Sequence, residues 1–271
     1  MGVFMALISN NRAGTFCWTE LCSSNWQEAK AFYTQLFNWG FEDQSIGEGA
    51  YYTMLQKHND DIAAMYQMMP QQKEAGAQSQ WLSYIAVDNV DEMAERAVAL
   101  GAEIIAGPHD VPSAGRMVML REPAEGAHFA LWQAKEHIGC KRELEANVPY
   151  WHELATRNSQ KSRAFYSALL GWQAQDKPME GMDYVLFSAR DTVVAGMLQM
   201  TEEWGDEIPA HWMTYFAVLD CDAMAAKAKE LGGQVCVPPT DIPQVGRFAV
   251  ITDPQGAVFS VIQSVMHEIE P

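Results

Sequence analysis

"FCWTELCSSNWQEAKAFYTQLFNW", residues 16–39, returns as "PYWHELATRNSQKSRAFYSALLGW", residues 149–172. Trp18, Glu20, Leu21, Asn25, Gln27, Ala31, Phe32, Tyr33, Leu36 and Trp39 recur 133 positions later as Trp151, Glu153, Leu154, Asn158, Gln160, Ala164, Phe165, Tyr166, Leu169 and Trp172. Self-similarity of this kind marks an internal duplication. The echo continues: "AMYQM" (64–68) returns as "GMLQM" (196–200), and "WLSYIAVDNVDEM" (81–93) as "WMTYFAVLDCDAM" (212–224). Then "DVPSAGR" (110–116) returns as "DIPQVGR" (241–247), and "PAEGAHFALWQ" as "PQGAVFSVIQ". The chain reads as a tandem repeat: a first module over 12–134, a charged linker "KEHIGCKRELEAN" over 135–147, and a second module over 148–264. A length of 271 residues suits two domains, and 48% hydrophobic residues allow each half a core of its own.

Within each module the hydrophobic period changes in a fixed order. Residues 15–22 alternate as a half-buried strand does. Asn25 is placed to cap a helix whose buried stripe is Ala29, Phe32, Tyr33 and Leu36. That helix should stop near Trp39-Gly40, and its copy near Gly171. Strand-like runs follow at 50–56 and 62–68, then a polar loop over 70–80. The pattern restarts with a strand at 81–87, a helix at 91–100 closed by Gly101, and strands near 103–105, 116–120 and 127–132. The fold class is α+β, four strand–helix–strands pieces in all. Helices cover one face of each antiparallel sheet and leave the other to curve around a ligand.

The formal net charge of −17 repels phosphate backbones and anionic lipid, so neither nucleic acid nor a membrane surface is an expected partner. Five cysteines, an odd count without any C-x-x-C, read as reduced, packed thiols rather than a disulfide framework or a zinc site. The apolar run Val3–Ile8 is too short and wrongly flanked for a signal peptide, and no run approaches a membrane span; the expectation is a cytoplasmic protein. Nucleotide-binding and nucleophile-elbow motifs are absent from the sequence.

The helix segments "FYTQLFNW" and "FYSALLGW" and the closing "DPQGAVFSVIQ" resemble the vicinal-oxygen-chelate superfamily, which includes glyoxalase I, the bleomycin-resistance proteins and the extradiol dioxygenases. The resemblance covers nearly the whole chain. It implies two tandem glyoxalase-like modules, each made of paired βαβββ units forming a curved, largely antiparallel sheet with a cleft. Function stays open, because lyases, oxygenases, epimerases and plain binders share that fold. Metal-using members place His, Gln or Glu at four inward strand positions. Matching by motif puts Trp18 and Trp151 at the first, and Ala64-Met65 and Gly196-Met197 around the fourth-strand position. Leu82 and Met213, or the adjoining Trp81 and Trp212, fall at the fifth, and Ala130 and Ser260 at the closing one. None is a ligand of the expected kind, so no cofactor is expected. A divalent metal remains the alternative, with His152 and His211 as fallback ligands if the strand phase is one residue off.

Residues i and i+2 of a strand share a face, so Trp18 and Glu20 look into one cleft and Trp151 and Glu153 into the other. A carboxylate beside an indole in a partly dry site has its charged form disfavoured and suits a general base, or an acceptor for a ligand's N–H or O–H. The competing reading is structural: Gly115-Arg116 and Gly246-Arg247 also recur, and ion pairs Glu20–Arg116 and Glu153–Arg247 would satisfy both charges internally. The repeated aromatics Trp81, Trp212, Tyr51 and Tyr184 are candidate ligand-binding residues of the clefts, as are Arg116 and Arg247, and Trp204 in the divergent loop 201–211. Such surfaces suit a flat, apolar organic molecule better than a sugar or phosphate. The sequence therefore supports a metal-free small-molecule binder, monomeric or homodimeric. The alternatives are a metal-dependent glyoxalase- or dioxygenase-type enzyme, and a metal-free lyase or isomerase using Glu20 or Glu153 as base.

Overall fold

Asn25 and Asn158 cap the repeated helices as their spacing asks. Their side chains accept from the backbone N–H groups of Glu28 and Lys161 at 3.3 and 3.2 Å. These helices, α1 (Trp26–Phe37) and α4 (Ser159–Leu170), end at left-handed residues, Asn38 and Gly171. The structure, a computed structural model, describes residues 8–47, 49–179 and 182–271; most of the run Val3–Ile8 lies outside them. Among the described residues no helix is long and apolar enough to cross a membrane.

The first module runs β1 (Phe16–Ser23), α1, β2 (Gly40–Gly47), β3 (Ala50–Lys57), β4 (Asp60–Gln67), α2 (Pro70–Glu74) and β5 (Gln80–Ala86), then α3 (Val90–Ala99), β6 (Glu103–Val111), β7 (Gly115–Arg121) and β8 (His128–Ala134). The second runs β9 (Pro149–Thr156), α4, β10 (Gln173–Met179), β11 (Met182–Ala189), β12 (Thr192–Gln199) and β13 (His211–Ala217), then α5 (Cys221–Glu230), β14 (Gln234–Ile242), β15 (Gly246–Thr252) and β16 (Val258–Ser264). Each makes one eight-stranded sheet, ordered β2-β3-β4-β1-β5-β8-β7-β6 and β10-β11-β12-β9-β13-β16-β15-β14. Pairing is antiparallel except at β1–β4 and β5–β8 and their copies. Two elements go beyond the sequence expectation: β2, exposed on both faces, carries no alternation to detect, and α2 occupies part of the expected loop.

The two halves do not bury separate cores. Phe32, Tyr33 and Phe37 of α1 pack with Phe216 and Phe259 of the second sheet. Phe165, Tyr166 and Leu169 of α4 pack with Phe129 and Leu131 of the first. A sheet with one helix per strand–helix–strands piece leaves too much apolar area for its own helices, and the partner module covers the rest. At the centre of this interior a short polar seam joins the sheets: Thr19 Oγ1 to Thr214 Oγ1 at 3.3 Å, Thr214 to Ser83 at 3.3 Å, and Ser83 Oγ to His152 Nδ1 at 2.9 Å.

The linker is no free tether. Cys140 N–H donates to Cys17 O at 2.7 Å, and Arg142, 3% exposed, is bound to Asp60 and Glu145 at 2.7 and 2.6 Å. A side chain at Gly139 would fall 2.2 Å from Cys17 O, so only glycine lets the segment lie this close. The segment is a strap laid across the first module and tied to the chain's end, where Ala146 N–H donates to Glu270 O at 2.7 Å.

Candidate functional site

Alternation divides β1 cleanly. Cys17, Thr19 and Leu21 face the helix-packed interior, while Trp18, Glu20 and Cys22 face the open side of the sheet. The same division sets Trp151, Glu153 and Ala155 on the open face of β9. Each carboxylate is held by two phenols. Tyr84 and Tyr52 donate to Glu20 at 2.6 and 2.9 Å, and the Trp18 indole N–H donates to the Tyr52 oxygen at 3.2 Å. In the second cleft Tyr184 and Tyr215 donate to Glu153 at 2.6 and 2.7 Å, and the Trp151 N–H reaches the Tyr184 oxygen at 3.3 Å. The duplicated Trp-x-Glu is thus one hydrogen-bonded unit: indole to phenol to carboxylate.

Burial raises the pKa of both glutamates; the two tyrosine hydrogen bonds act in the opposite direction but are outweighed. Burial and the neighbouring carboxylate push the tyrosines up in turn. Each oxygen of the carboxylate accepts one phenol and keeps a further lone pair. In each cleft the result is a proton-accepting group in an apolar setting.

The expected ion pairs do not form. Arg116 and Arg247 sit one residue out of phase with the cleft, on the helix-side face, because Met117 and Phe248 take the open face. Arg116 binds Asp91 of α3 at 2.8 Å and Arg247 binds Asp222 of α5 at 2.6 Å. Both arginines fasten helix starts to sheet ends and leave the carboxylates to the tyrosines. Trp81 and Trp212 also face the interior, where each donates to a helix tyrosine, Tyr33 at 2.9 Å and Tyr166 at 2.8 Å. Their strand neighbours Tyr84 and Tyr215 face the cleft instead. Tyr51 is 38% exposed on the other face of β3, stacked on Trp26, and Tyr52 is the true counterpart of Tyr184. The repeat offset slips from 133 to 132 between the first helix and β3, and that hid Tyr52. Trp204 packs with Ile208 and Tyr184 against Ala155, Leu198 and Met200, at one end of the second cleft.

The two clefts differ in their filling. Trp18 and Trp132 are 5% and 6% exposed, and His137 of the strap lies edge-on against Trp18 at 4.5 Å. Tyr66 and Cys22 add bulk beside them. In the second module Ile262 replaces Trp132, Leu198 replaces Tyr66 and Ala155 replaces Cys22. His267, the copy of His137, is drawn aside to the Tyr150 hydroxyl at 2.7 Å. Trp151 and Glu153 are accordingly half-buried, in a wall formed by Met213, Tyr215, Phe248, Val250 and Ile262. Gly196 makes room here: a side chain at that point would fall 1.8 Å from the Tyr184 hydroxyl.

The positions implied for metal ligands carry Trp18, Ala64, Leu82 and Ala130 in one cleft and Trp151, Gly196, Met213 and Ser260 in the other. Indole, alkyl and thioether groups are poor donors for a divalent ion, Ser260 adds a single neutral hydroxyl in the second cleft, and the one carboxylate of each cleft is already taken by two phenols. His152 turns into the interior, its ring stacked on Phe16 at 4.0 Å, and burial lowers its pKa to about 3. His211 shares the cleft face of β13, opposite Ala155. Among the described residues, no group of three or more His, Cys, Asp or Glu gathers to hold a metal. These residues do not fit a divalent ion.

A family profile described as the glyoxalase/bleomycin resistance protein/dioxygenase superfamily matches residues 15–131 and again 150–261. CFP32 of Mycobacterium tuberculosis, provisionally named a glyoxylase, is 40% identical over 257 residues, covering 94% of this chain and 97% of that protein. The anthracycline biosynthesis protein DnrV of Streptomyces peucetius is 34% identical over 262 residues, covering 92% of this chain and 93% of that one. The Mn(II)-bound glyoxalase of Novosphingobium aromaticivorans superposes with a TM-score of 0.63 at 18% identity, over 96% of this chain and 84% of that one, a likeness of fold.

Proposed function

The chain belongs to the glyoxalase/bleomycin resistance protein/dioxygenase superfamily, and within it we propose that it binds a flat, largely apolar organic molecule through the second module's cleft. Glu153 accepts a ligand hydroxyl or N–H there, and Trp151, Met213, Tyr215 and Phe248 provide the apolar contact. One observation carries this reading: a half-buried carboxylate, fixed by two phenols, looks out of an otherwise apolar wall. Such a group rewards a ligand that brings a donor and penalises one that brings an acceptor. The anthracycline name of one relative points the same way, since anthracyclines are flat, hydroxylated polycycles. The first cleft, packed by Trp18, Trp132 and His137, serves the fold.

Titration with 1-naphthol, followed by tryptophan fluorescence and calorimetry, tests the proposal. One saturable site per chain is expected, with affinity lowered about tenfold in Glu153→Gln and unchanged in Glu20→Gln. Binding that depends on Glu20 and ignores Glu153 would reverse the assignment of clefts.

A second reading has its own support. The raised pKa of Glu153 suits a general base, so a metal-free lyase or isomerase is consistent with the same cleft. It requires a rate that rises with pH through a window above the ordinary carboxylate range and vanishes in Glu153→Gln. Chelation chemistry has less support, because the donor set is wrong. One tightly held transition ion per chain, in protein purified without a metal-affinity tag, would overturn that judgement.

A further inference from the structure

His211 is the one other titratable side chain that alternation brings to the open face of β13 beside Tyr215. It stands opposite Ala155, one cleft-face position along from Met213, which stands opposite Glu153. Diagonal positions of this kind on paired strands lie about 7–8 Å apart, within reach of one bound ring system. Its Nδ1 is 2.8 Å from Pro209 O. A carbonyl oxygen can only accept, so Nδ1 carries the proton and Nε2 keeps its lone pair.

The carbonyl that sets this tautomer is itself fixed. Arg157, just after β9, donates to Ile208 O at 2.7 Å and to Gly205 O, clamping the loop that ends at Pro209. Trp204 and Ile208 of that loop close the same end of the cleft. Burial lowers the imidazole pKa, so the ring is neutral near neutral pH. The first module has none of this: Gln80 stands where His211 does, and Ser24 stands where Arg157 does.

We propose that His211 Nε2 is a second hydrogen-bond acceptor of the second cleft, and that with Glu153 it selects ligands carrying two donors at opposite ends of a flat ring system. This rests on the cleft reading given above. Two acceptors spaced along one apolar wall match a diol of a fused aromatic and leave a mono-ol with one acceptor unpaired. His211 is then a specificity-determining contact, and Arg157 positions it through the loop.

The probes are 1,5-dihydroxynaphthalene and 1-naphthol, titrated into the full chain and into His211→Phe. The diol should bind the wild type about tenfold more tightly than the mono-ol, the worth of one well-made hydrogen bond, and His211→Phe should abolish that advantage without weakening 1-naphthol. Nitrogen-15 spectra of histidine-labelled protein should show His211 with its proton on Nδ1, and Nε2 should shift when the diol is added. Equal affinity for the two probes, or a loss shared equally by both in the variant, overturns the role of His211 while the cleft reading stands. An Nε2–H tautomer in the free protein also overturns it, without reference to any ligand. If neither naphthol saturates the wild type, the cleft reading itself fails and this proposal goes with it.

Discussion

Replacing Tyr215 by phenylalanine deletes one hydroxyl and leaves the ring; the hydroxyl bonds Glu153 at 2.7 Å and also meets the Ser260 hydroxyl, so comparison with a Glu153→Gln background isolates the first bond. A hydrogen bond to a charged acceptor is worth about 1.5–3 kcal/mol, against roughly 0.5–1.5 kcal/mol for a neutral one. The cost of the change must therefore depend on whether Glu153 is ionised. Its pKa is raised by burial, and losing a phenol that favours the carboxylate raises it further. The folded state then holds its proton where the unfolded chain has released it. Stability falls as pH rises from the ordinary carboxylate range up through the raised value. The expected cost of Tyr215→Phe is thus about 0.5–1.5 kcal/mol at about pH 4 and about 1.5–3 kcal/mol at about pH 9. In a Glu153→Gln background the smaller cost should apply at both. Equilibrium urea unfolding of the four proteins at the two pH values measures all of these terms. The same cost at both pH values in the wild-type background, or in both backgrounds at about pH 9, would mean that Tyr215 is a packing residue and that no phenol–carboxylate unit exists.

Trp212→Phe should remove the indole bond to Tyr166 and a little volume, costing about 1–2 kcal/mol by thermal unfolding. It should leave 1-naphthol affinity unchanged, since the ring faces the interior. Arg142→Met should cost less in urea than the about 3–5 kcal/mol of an orphaned buried charge, because Glu145, 3% exposed, loses its partner at 2.6 Å and keeps Lys57 at 3.5 Å. His152, held neutral with a pKa near 3, stabilises the fold above the ordinary histidine range and withdraws that support as pH falls toward 3. The wild type should lose about 1.4 kcal/mol per pH unit more steeply across that window than His152→Gln does. Parallel acid-unfolding curves for the two would refute that account.

The elements were readable because local rules agreed with one another. Asn25, the Ala29-Phe32-Tyr33-Leu36 stripe and Trp39 all pointed to the same helix, and the structure has it. Strand β2 escaped because it lies exposed at a sheet edge and has no buried face to imprint alternation. In the clefts, phase made the difference. Counting in twos places Trp18 and Glu20 together; in "WLSY" it sets Trp81 and Tyr84 on opposite faces, but which of those faces is open depends on what the helices cover. The slip of one residue before β3 then exchanged Tyr51 for Tyr52, since a single insertion turns every later side chain over.

From the sequence alone follow the duplication, the order of its elements and the pairing of an indole with a carboxylate two residues on. All of these are local or periodic properties that survive without knowledge of neighbours. Which partner satisfies Glu20 and Glu153 was settled only by the folded sheet. The tyrosines come from strands 31 to 64 residues away and the rejected arginines lie on the far face. Tertiary structure also widened the difference that Trp132/Ile262, Tyr66/Leu198 and Cys22/Ala155 make between the copies, by laying the strap's His137 over one indole and drawing His267 away from the other. Burial and hydrogen bonding across strands depend on register and on what covers a surface, and neither is written in any short stretch of chain.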